Sequence, residues 1–123
     1  MERDPLTRTV IGCAIEVHRT LGPGLLESSY EKCLAWELNA ADLLFRRQVV
    51  VPVKYKMAQL DCGYKIDILV ENSLILELKV VDKIKGIHEA QILTYMKLAN
   101  INTGLLINFN ETRLINGIRR FKR

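Results

Sequence analysis

A chain of 123 residues in which 49% are hydrophobic can bury one core of moderate size, so we expect a single domain over residues 1–123. No segment approaches the roughly 18 consecutive apolar residues of a membrane-spanning helix, and the N-terminus lacks the apolar stretch of a signal peptide. The sequence therefore predicts a cytoplasmic protein, and its formal net charge of +4 permits a polyanionic partner without requiring one.

The cysteine pattern excludes two common uses of this residue. Cys13, Cys33 and Cys62 are odd in number and widely separated, which is typical neither of a disulfide framework nor of a Cys-x-x-Cys metal site. We therefore expect three small buried side chains in a reducing compartment.

Helices are predicted in the first third of the chain. Asp4 followed by Pro5 is typical of a helix start, and apolar residues at helical spacing then continue to Leu21, where Gly22-Pro23-Gly24 should end the helix. A second helix is predicted over residues 25–44 because of its apolar stripe.

The rest of the chain alternates between strand and helix patterns. A valine-rich strand is predicted over residues 47–57, where Pro52 indicates an edge position or a bulge. A hairpin is predicted over residues 62–82, a helix over 87–99, a buried strand over 103–109 and a short final strand or mixed segment over 113–123. A hairpin followed by a strand–helix–strand crossover predicts an α/β fold with a mixed sheet and helices on both faces.

The hairpin carries the most informative side chains. With its turn centred on Asn72, Ile68 faces Leu76 and Asp67 faces Glu77. Alternation along the strands predicts one uncharged core face. That face carries Tyr64, Ile66, Ile68, Val70, Leu74, Leu76, Leu78 and Val80.

The opposite face places two acids together. Carboxylates directly across from each other, roughly 5 Å apart at Cβ, destabilise a sheet unless a counter-charge or a proton is present. Lys79 supplies one positive charge, and Mg²⁺ or Mn²⁺, which prefer hard oxygen ligands, would supply the rest. The alternative interpretation is a solvated strand face on which Asp67 pairs with Lys65 and Glu77 pairs with Lys79.

Three further polar residues have two interpretations each. Glu27, in the first turn of the second helix, either complements the helix dipole or points at the hairpin as a third acidic group. Glu16 is a weaker candidate for the same role. His18 lies on the apolar side of the first helix, as a core histidine or as a ligand.

Three motifs resemble a known family. Asp67 followed by Glu77-Leu78-Lys79 resembles the D…(D/E)-x-K signature of the PD-(D/E)XK nuclease superfamily, although Ile66 replaces the proline. The segment from Gly24 through Glu27 to Tyr30 resembles the G-x-x-E-x-x-Y motif of the GxxExxY family within it. The segment from Gln91 to Tyr95 resembles the Q-x-x-x-Y motif of its exonuclease branch.

This resemblance implies a restriction-endonuclease-like fold, a three-layer α/β/α sandwich with a central mixed sheet. It implies hydrolysis of phosphodiester bonds in DNA, or in RNA. Asp67, Glu77 and Glu27 would hold Mg²⁺ or Mn²⁺, and Lys79 would orient the attacking water or stabilise the transition state. Gln91 and Tyr95 would contact the substrate or position Lys79.

The partners expected from the resemblance are a nucleic acid and either a second copy of the chain or a helicase-type protein. Two alternatives remain open at this stage: a non-catalytic binding module on the same fold, and an enzyme acting on a small phosphorylated molecule. Basic residues expected to hold phosphates are Lys54, Lys56, Lys83, Lys85, Arg119 and Arg120.

Overall fold

A computed structural model describes residues 4–123 of the chain. In chain order its elements are α1 (Pro5–Leu21), α2 (Glu27–Ala40), β1 (Phe45–Val50), β2 (Val53–Tyr55), β3 (Ala58–Leu60), β4 (Lys65–Val70), β5 (Leu74–Lys79), α3 (Gly86–Ala99), β6 (Thr103–Asn108), a 3₁₀ turn (Leu114–Gly117) and β7 (Ile118–Lys122).

Five of the strands form the central sheet, in the order β1-β4-β5-β6-β7. β5 and β6 run parallel and are joined through α3, whereas the other neighbours are antiparallel. The predicted mixed sheet, crossover helix and final strand are therefore confirmed. Within the described residues, no helix combines the length and the apolar character needed to cross a membrane.

The first helix has the predicted boundaries because both ends are capped. The Thr7 N–H donates to Asp4 Oδ1 at 2.8 Å, and the N–H of Gly22, at φ 69°, donates to the His18 carbonyl at 2.7 Å. α2 is shorter than the predicted 25–44. It ends at Ala40 because Asp42 adopts φ 60° and the chain then extends into β1.

Two apolar clusters flank the sheet. Along β5, Leu74, Leu76 and Leu78 pack with α1 and α2, whereas Ile75 packs with α3. Because neighbouring side chains of a strand point to opposite faces, α1 and α2 contact one face and α3 contacts the other. This arrangement agrees with the expectation of helices on both faces.

The predicted alternation along β4 is wrong at its start. Ile68 and Leu76 pair as predicted, but Ile66 joins the α3 cluster, and Tyr64 lies against Tyr95 of α3. The strand loses its regular phase at Asp67, which forms no ladder pair with β5 because its carboxylate accepts a hydrogen bond from the Leu78 N–H. A side chain has taken the place of a backbone acceptor there.

The predicted strand over residues 47–57 is divided in two. β1 lies at the edge of the sheet, as Pro52 indicated, and ends before that proline. The chain then forms a separate hairpin of β2 and β3, turning at Lys56 with φ 54°. β3 was not predicted, because its residues follow this turn without a hydrophobic pattern of their own.

The expectation of three buried cysteines is wrong for one of them. Cys62 is exposed in the loop before β4, whereas Cys13 and Cys33 are half-buried, and all three are free thiols. Burial, followed by the charge of Glu37, raises the pKa of Cys13. Cys13 is therefore the less reactive kind of thiol.

The contact of the 3₁₀ turn with the end of β6 can be tested at Gly117. A Cβ atom there would lie 2.5 Å from the Asn108 carbonyl oxygen and 2.8 Å from Glu111 Cγ. We expect Gly117→Ala to lower the free energy of unfolding by about 1–3 kcal/mol, because backbone atoms must move. Urea denaturation measures the change.

Gly12→Ala is the matched control. A Cβ atom at Gly12, on the exposed side of α1, meets nothing within 4 Å. This change should stabilise the protein by up to about 1 kcal/mol, because alanine favours a helix. Equal effects of the two substitutions would contradict the packing described for Gly117.

Candidate active site

The candidate site centres on two acids at neighbouring strand positions. Asp67 Oδ2 accepts a hydrogen bond of 2.8 Å from the N–H of Leu78, which fixes its carboxylate against β5. Glu77 is only 4% exposed, and within residues 4–123 its buried Oε1 has no hydrogen-bond partner. An unpartnered buried carboxyl oxygen is costly and rare, so it marks a place where a ligand would be stabilised.

The electrostatics of this pair favour a shared proton when no cation is bound. Burial, then the negative charge of Asp67 and a hydrogen bond with it, raise the pKa of Glu77 to about 10, against the opposing effect of Lys79. At neutral pH Glu77 is therefore protonated and donates to Asp67. From the sequence, either a counter-charge or a proton was expected to relieve the repulsion between the two carboxyls, and in the metal-free protein it is a proton.

The alternative of a solvated salt-bridge face is wrong. Glu77 is buried, and the described residues include no ion pair between Glu77 and Lys79 or between Asp67 and Lys65.

A hydrogen-bonded chain connects the lysine to α3. Lys79 Nζ donates to Gln91 Oε1 at 3.4 Å, and Gln91 Nε2 donates to the Tyr95 hydroxyl at 3.1 Å. Burial, and next the charge of Glu77, raise the pKa of Tyr95, so its phenol keeps its proton. The structure thus brings Asp67, Glu77, Lys79, Gln91 and Tyr95 together, on the inner strands β4 and β5 and on α3.

Glu27 reaches the same region from α2. It is exposed as the first residue of that helix, yet partial desolvation, and then the charge of Asp67, raise its pKa, while Lys79 lowers it. Glu27 is therefore coupled electrostatically to the acid pair. Within residues 4–123, no group of three or more His, Cys, Asp or Glu side chains is arranged so that it could hold a metal ion.

The side chain of Tyr30 holds the start of α2, and with it Glu27, in this position. Its ring is fully buried and stacks on Phe109 with 4.5 Å between the centroids. Its hydroxyl donates to the Gly22 carbonyl and accepts from the Leu25 N–H at 3.2 Å. This side chain therefore anchors the loop that leads into α2 and positions the start of the helix.

Residues 4–121 match the family described as the PD-(D/E)XK nuclease superfamily. The chain belongs to the PD-(D/E)XK nuclease superfamily. Its helices and five-stranded mixed sheet are accordingly a restriction-endonuclease-like α/β fold. Members of this superfamily typically hydrolyse phosphodiester bonds and generally use divalent metals. Comparison with curated proteins finds no match, and comparison with solved structures finds none either.

The basic residues suggested for phosphate binding differ in their surroundings. Lys54 and Lys56 are exposed on the β2–β3 hairpin, and Lys83 and Lys85 are exposed between β5 and α3. Their role in binding phosphates stays a prediction.

The two arginines of β7 face opposite sides of the sheet. Arg119 is exposed, and its register partner on β6 is Leu106, whose own partner on β5 is Glu77. The backbone of Arg119 therefore lies two strand spacings, about 10 Å, from that of Glu77. Arg120 lies at 3.1 Å from Asp4, and a phosphate would compete with that carboxylate.

The remaining acidic and histidine candidates do not enter the PD-(D/E)XK site. Glu16 forms an exposed ion pair with Arg19 at 2.7 Å. His18 is buried, and its Nε2 lies 2.7 Å from the Glu111 carbonyl oxygen, so it is a core histidine.

Sequence reasoning missed one polar cluster next to the site. Glu31, one turn after Glu27, is buried and accepts from Arg47 Nε at 2.9 Å and from Gln48 Nε2 at 2.7 Å. The signal available was the spacing of the two glutamates on one helix face. This cluster ties β1 to α2 and leaves Glu31 neutralised by an arginine, unlike Glu77.

The raised pKa of Glu77 predicts how the stability of the metal-free protein depends on pH. Its pKa rises from 4.5 to about 10 on folding, so between these values the folded state holds a proton that the unfolded chain has lost. The free energy of unfolding should therefore fall as pH rises, by up to about 1.4 kcal/mol per unit between about pH 5 and 9.

Urea denaturation across that range, with EDTA present, measures this slope. Glu77→Gln removes the titrating group and should flatten the profile, whereas Glu16→Gln, on the exposed face of α1, should retain it. Identical profiles for the wild type and Glu77→Gln would refute the assignment of the proton to Glu77.

Proposed function

We propose that this protein is a divalent-metal-dependent nuclease that hydrolyses phosphodiester bonds in DNA. The observation that carries the proposal is the buried Glu77, whose Oε1 has no partner within the described residues, beside Asp67 and Lys79. Buried acids with strongly raised pKa values, close to a lysine, are typical of catalytic sites.

The donor set fits Mg²⁺ or Mn²⁺. These ions prefer hard oxygen ligands, and Mg²⁺ commonly uses one or two protein carboxylates together with water and substrate phosphate. Asp67 and Glu77 would hold the ion, and Glu27 would bind it directly or through water. When bound, the ion activates water and offsets the negative charge that develops on the phosphate oxygens.

The protein's own groups would orient the reactants. The Lys79 ammonium would donate to the attacking water or to a non-bridging phosphate oxygen, where it offsets developing charge. Gln91 would hold Lys79 through the contact of 3.4 Å, and Tyr95 would hold Gln91 through the contact of 3.1 Å. Gln91 and Tyr95 are thus positioning residues in this proposal.

We also assign the chain to the GxxExxY family within the superfamily. The anchoring of the loop before Glu27 by Tyr30 supports this assignment, because it gives the motif residues a common structural task. The exposed lysines Lys54, Lys56, Lys83 and Lys85 would hold phosphates, and binding would weaken with salt. The expected second copy or helicase-type partner gains no support and is not part of the proposal.

Cleavage tests the proposal directly. Asp67→Asn, Glu77→Gln and Lys79→Ala should each lower Mn²⁺-dependent cleavage of labelled DNA by about 10³-fold, since the first two lose a ligand of the ion and the third loses the ammonium that offsets charge on the phosphate. Glu16→Gln is the control for a neutralised acid, and its cleavage should equal that of the wild type. Unchanged cleavage by all three site variants, after removal of contaminating nucleases, would eliminate the proposed mechanism.

Calorimetry with Mn²⁺ separates this nuclease from a non-catalytic module on the same fold. Because Glu77 is protonated before the ion arrives, binding near neutral pH should release about one proton. Titrations in buffers of different ionisation enthalpy measure that release. Glu77→Gln should bind more weakly and release none, and the absence of Mn²⁺ binding by the wild type would favour the non-catalytic module.

A further inference from the structure

A groove of about 470 Å³ lies between α3 and the β2–β3 hairpin, directly beside the candidate site. We call it the α3 groove. Its wall is largely apolar, and it also includes the two residues that form the hydrogen-bonded chain to Lys79. Residues that define it are Val53, Tyr64, Ile87, Leu98, Gln91 and Tyr95.

The groove exposes apolar surface that the protein itself does not cover. Ile87 is 72% exposed and Tyr64 is 46% exposed, although both lie next to a buried polar site. Contiguous exposed apolar surface of this kind marks a place where another molecule binds. The groove volume falls within the range of about 300–1,000 Å³ that is usual for small-ligand sites.

We infer that the α3 groove receives one unstacked base of single-stranded DNA, next to the phosphate that is cut. The place of that base relative to the cut phosphate rests on the proposed nuclease function. Tyr64 offers a ring on which a base can stack, and Tyr95 supports that ring at 6.2 Å between centroids, tilted by 58°. Aromatic rings that stack unpaired bases are a general device for binding single strands.

The polar groups of the groove suit the edge of a base. His88 lines the groove, and its Nδ1 accepts a hydrogen bond of 2.9 Å from the Lys85 N–H. Because a backbone N–H can only donate, neutral His88 carries its proton on Nε2, which is then a donor. Gln91 and Thr94 add two more polar side chains to the lining, so the groove combines an apolar wall with a few hydrogen-bonding groups.

The charges around the groove favour a nucleic acid as its occupant. None of the residues that line it in the described part of the chain is acidic. Lys79 Nζ lies 3.4 Å from the lining residue Gln91, and the exposed Lys85 directly precedes the helix whose first turn lines the groove. Cations next to an apolar wall match phosphates next to a base. Within a duplex the base would remain stacked and out of reach.

Binding of labelled DNA without metal tests this inference independently of cleavage. Fluorescence anisotropy with EDTA present should show that a short single strand of DNA binds more tightly than its duplex. Tyr64→Ala should weaken binding of the single strand about tenfold, the order contributed by stacking of one base. Tyr64→Phe keeps the ring and should bind as the wild type does.

Trp36→Ala is the control for loss of an exposed aromatic side chain. Trp36 is 70% exposed and lines a separate pocket between α1 and α2, so its loss should not change binding. Equal affinities of Tyr64→Ala and the wild type, or tighter binding of the duplex, would overturn the assignment of the groove to an unstacked base.

An abasic scan tests the same inference by changing the DNA, first with the wild-type protein and then with Tyr64→Ala. Single strands that lack one base at successive positions should lose about tenfold in affinity at one position only, and Tyr64→Ala should add little to that loss. Uniform losses along the strand overturn the inference. Metal-dependent cleavage that requires Asp67, combined with uniform losses, means that the groove assignment alone is wrong. A single sensitive position without any cleavage means that the nuclease proposal is wrong.

Discussion

The hydrogen bond from the Leu78 N–H to the Asp67 carboxylate is the interaction on which the site depends. A buried backbone N–H needs an acceptor, and here a side chain supplies it within a sheet. The bond holds Asp67 against β5. Burial is the largest cause of the raised pKa of Glu77, and the charge of Asp67 and its hydrogen bond with Glu77 raise that pKa further. One local substitution of a side chain for a backbone acceptor thus keeps two acids together that would otherwise repel each other.

The loss of regular alternation at Asp67 also shapes the α3 groove. A regular β4 would direct Tyr64 and Ile66 toward α1 and α2, together with Ile68. Because the phase changes at Asp67, Ile66 packs with Ile75 on the α3 side, and Tyr64 reaches the ring of Tyr95. The acid pair and the aromatic wall therefore share one cause, which explains why a polar site and an apolar groove lie side by side.

Much of this architecture could be predicted from the sequence, because it depends on local rules. The turn at Asn72 and the alternation of apolar residues specify the register of Ile68 with Leu76, and Asp4 with Pro5 specifies the start of α1. The hairpin pattern placed Asp67, Glu77 and Lys79 together, whereas Gln91 and Tyr95 were assigned to the site by family resemblance, which carries tertiary information that periodicity lacks. Their catalytic and ligand roles, like the single-domain organisation, stay predictions.

The features that were missed depend on competition between partners distant in sequence. The phase change in β4 arises because the Asp67 carboxylate competes with a backbone acceptor, and periodicity does not encode that choice. The pairing of Arg47 with Glu31 likewise depends on how β1 meets α2.

This pairing is also informative about Glu77. The chain has 18 lysines and arginines, yet within the described residues its ion pairs go to Glu16, Glu31 and Asp4. Lys79, the cation whose charge acts on Glu77, is hydrogen-bonded to Gln91 instead. A fold that neutralises one buried glutamate with an arginine and leaves its neighbour to hold a proton keeps that second acid available for a cation from outside the chain.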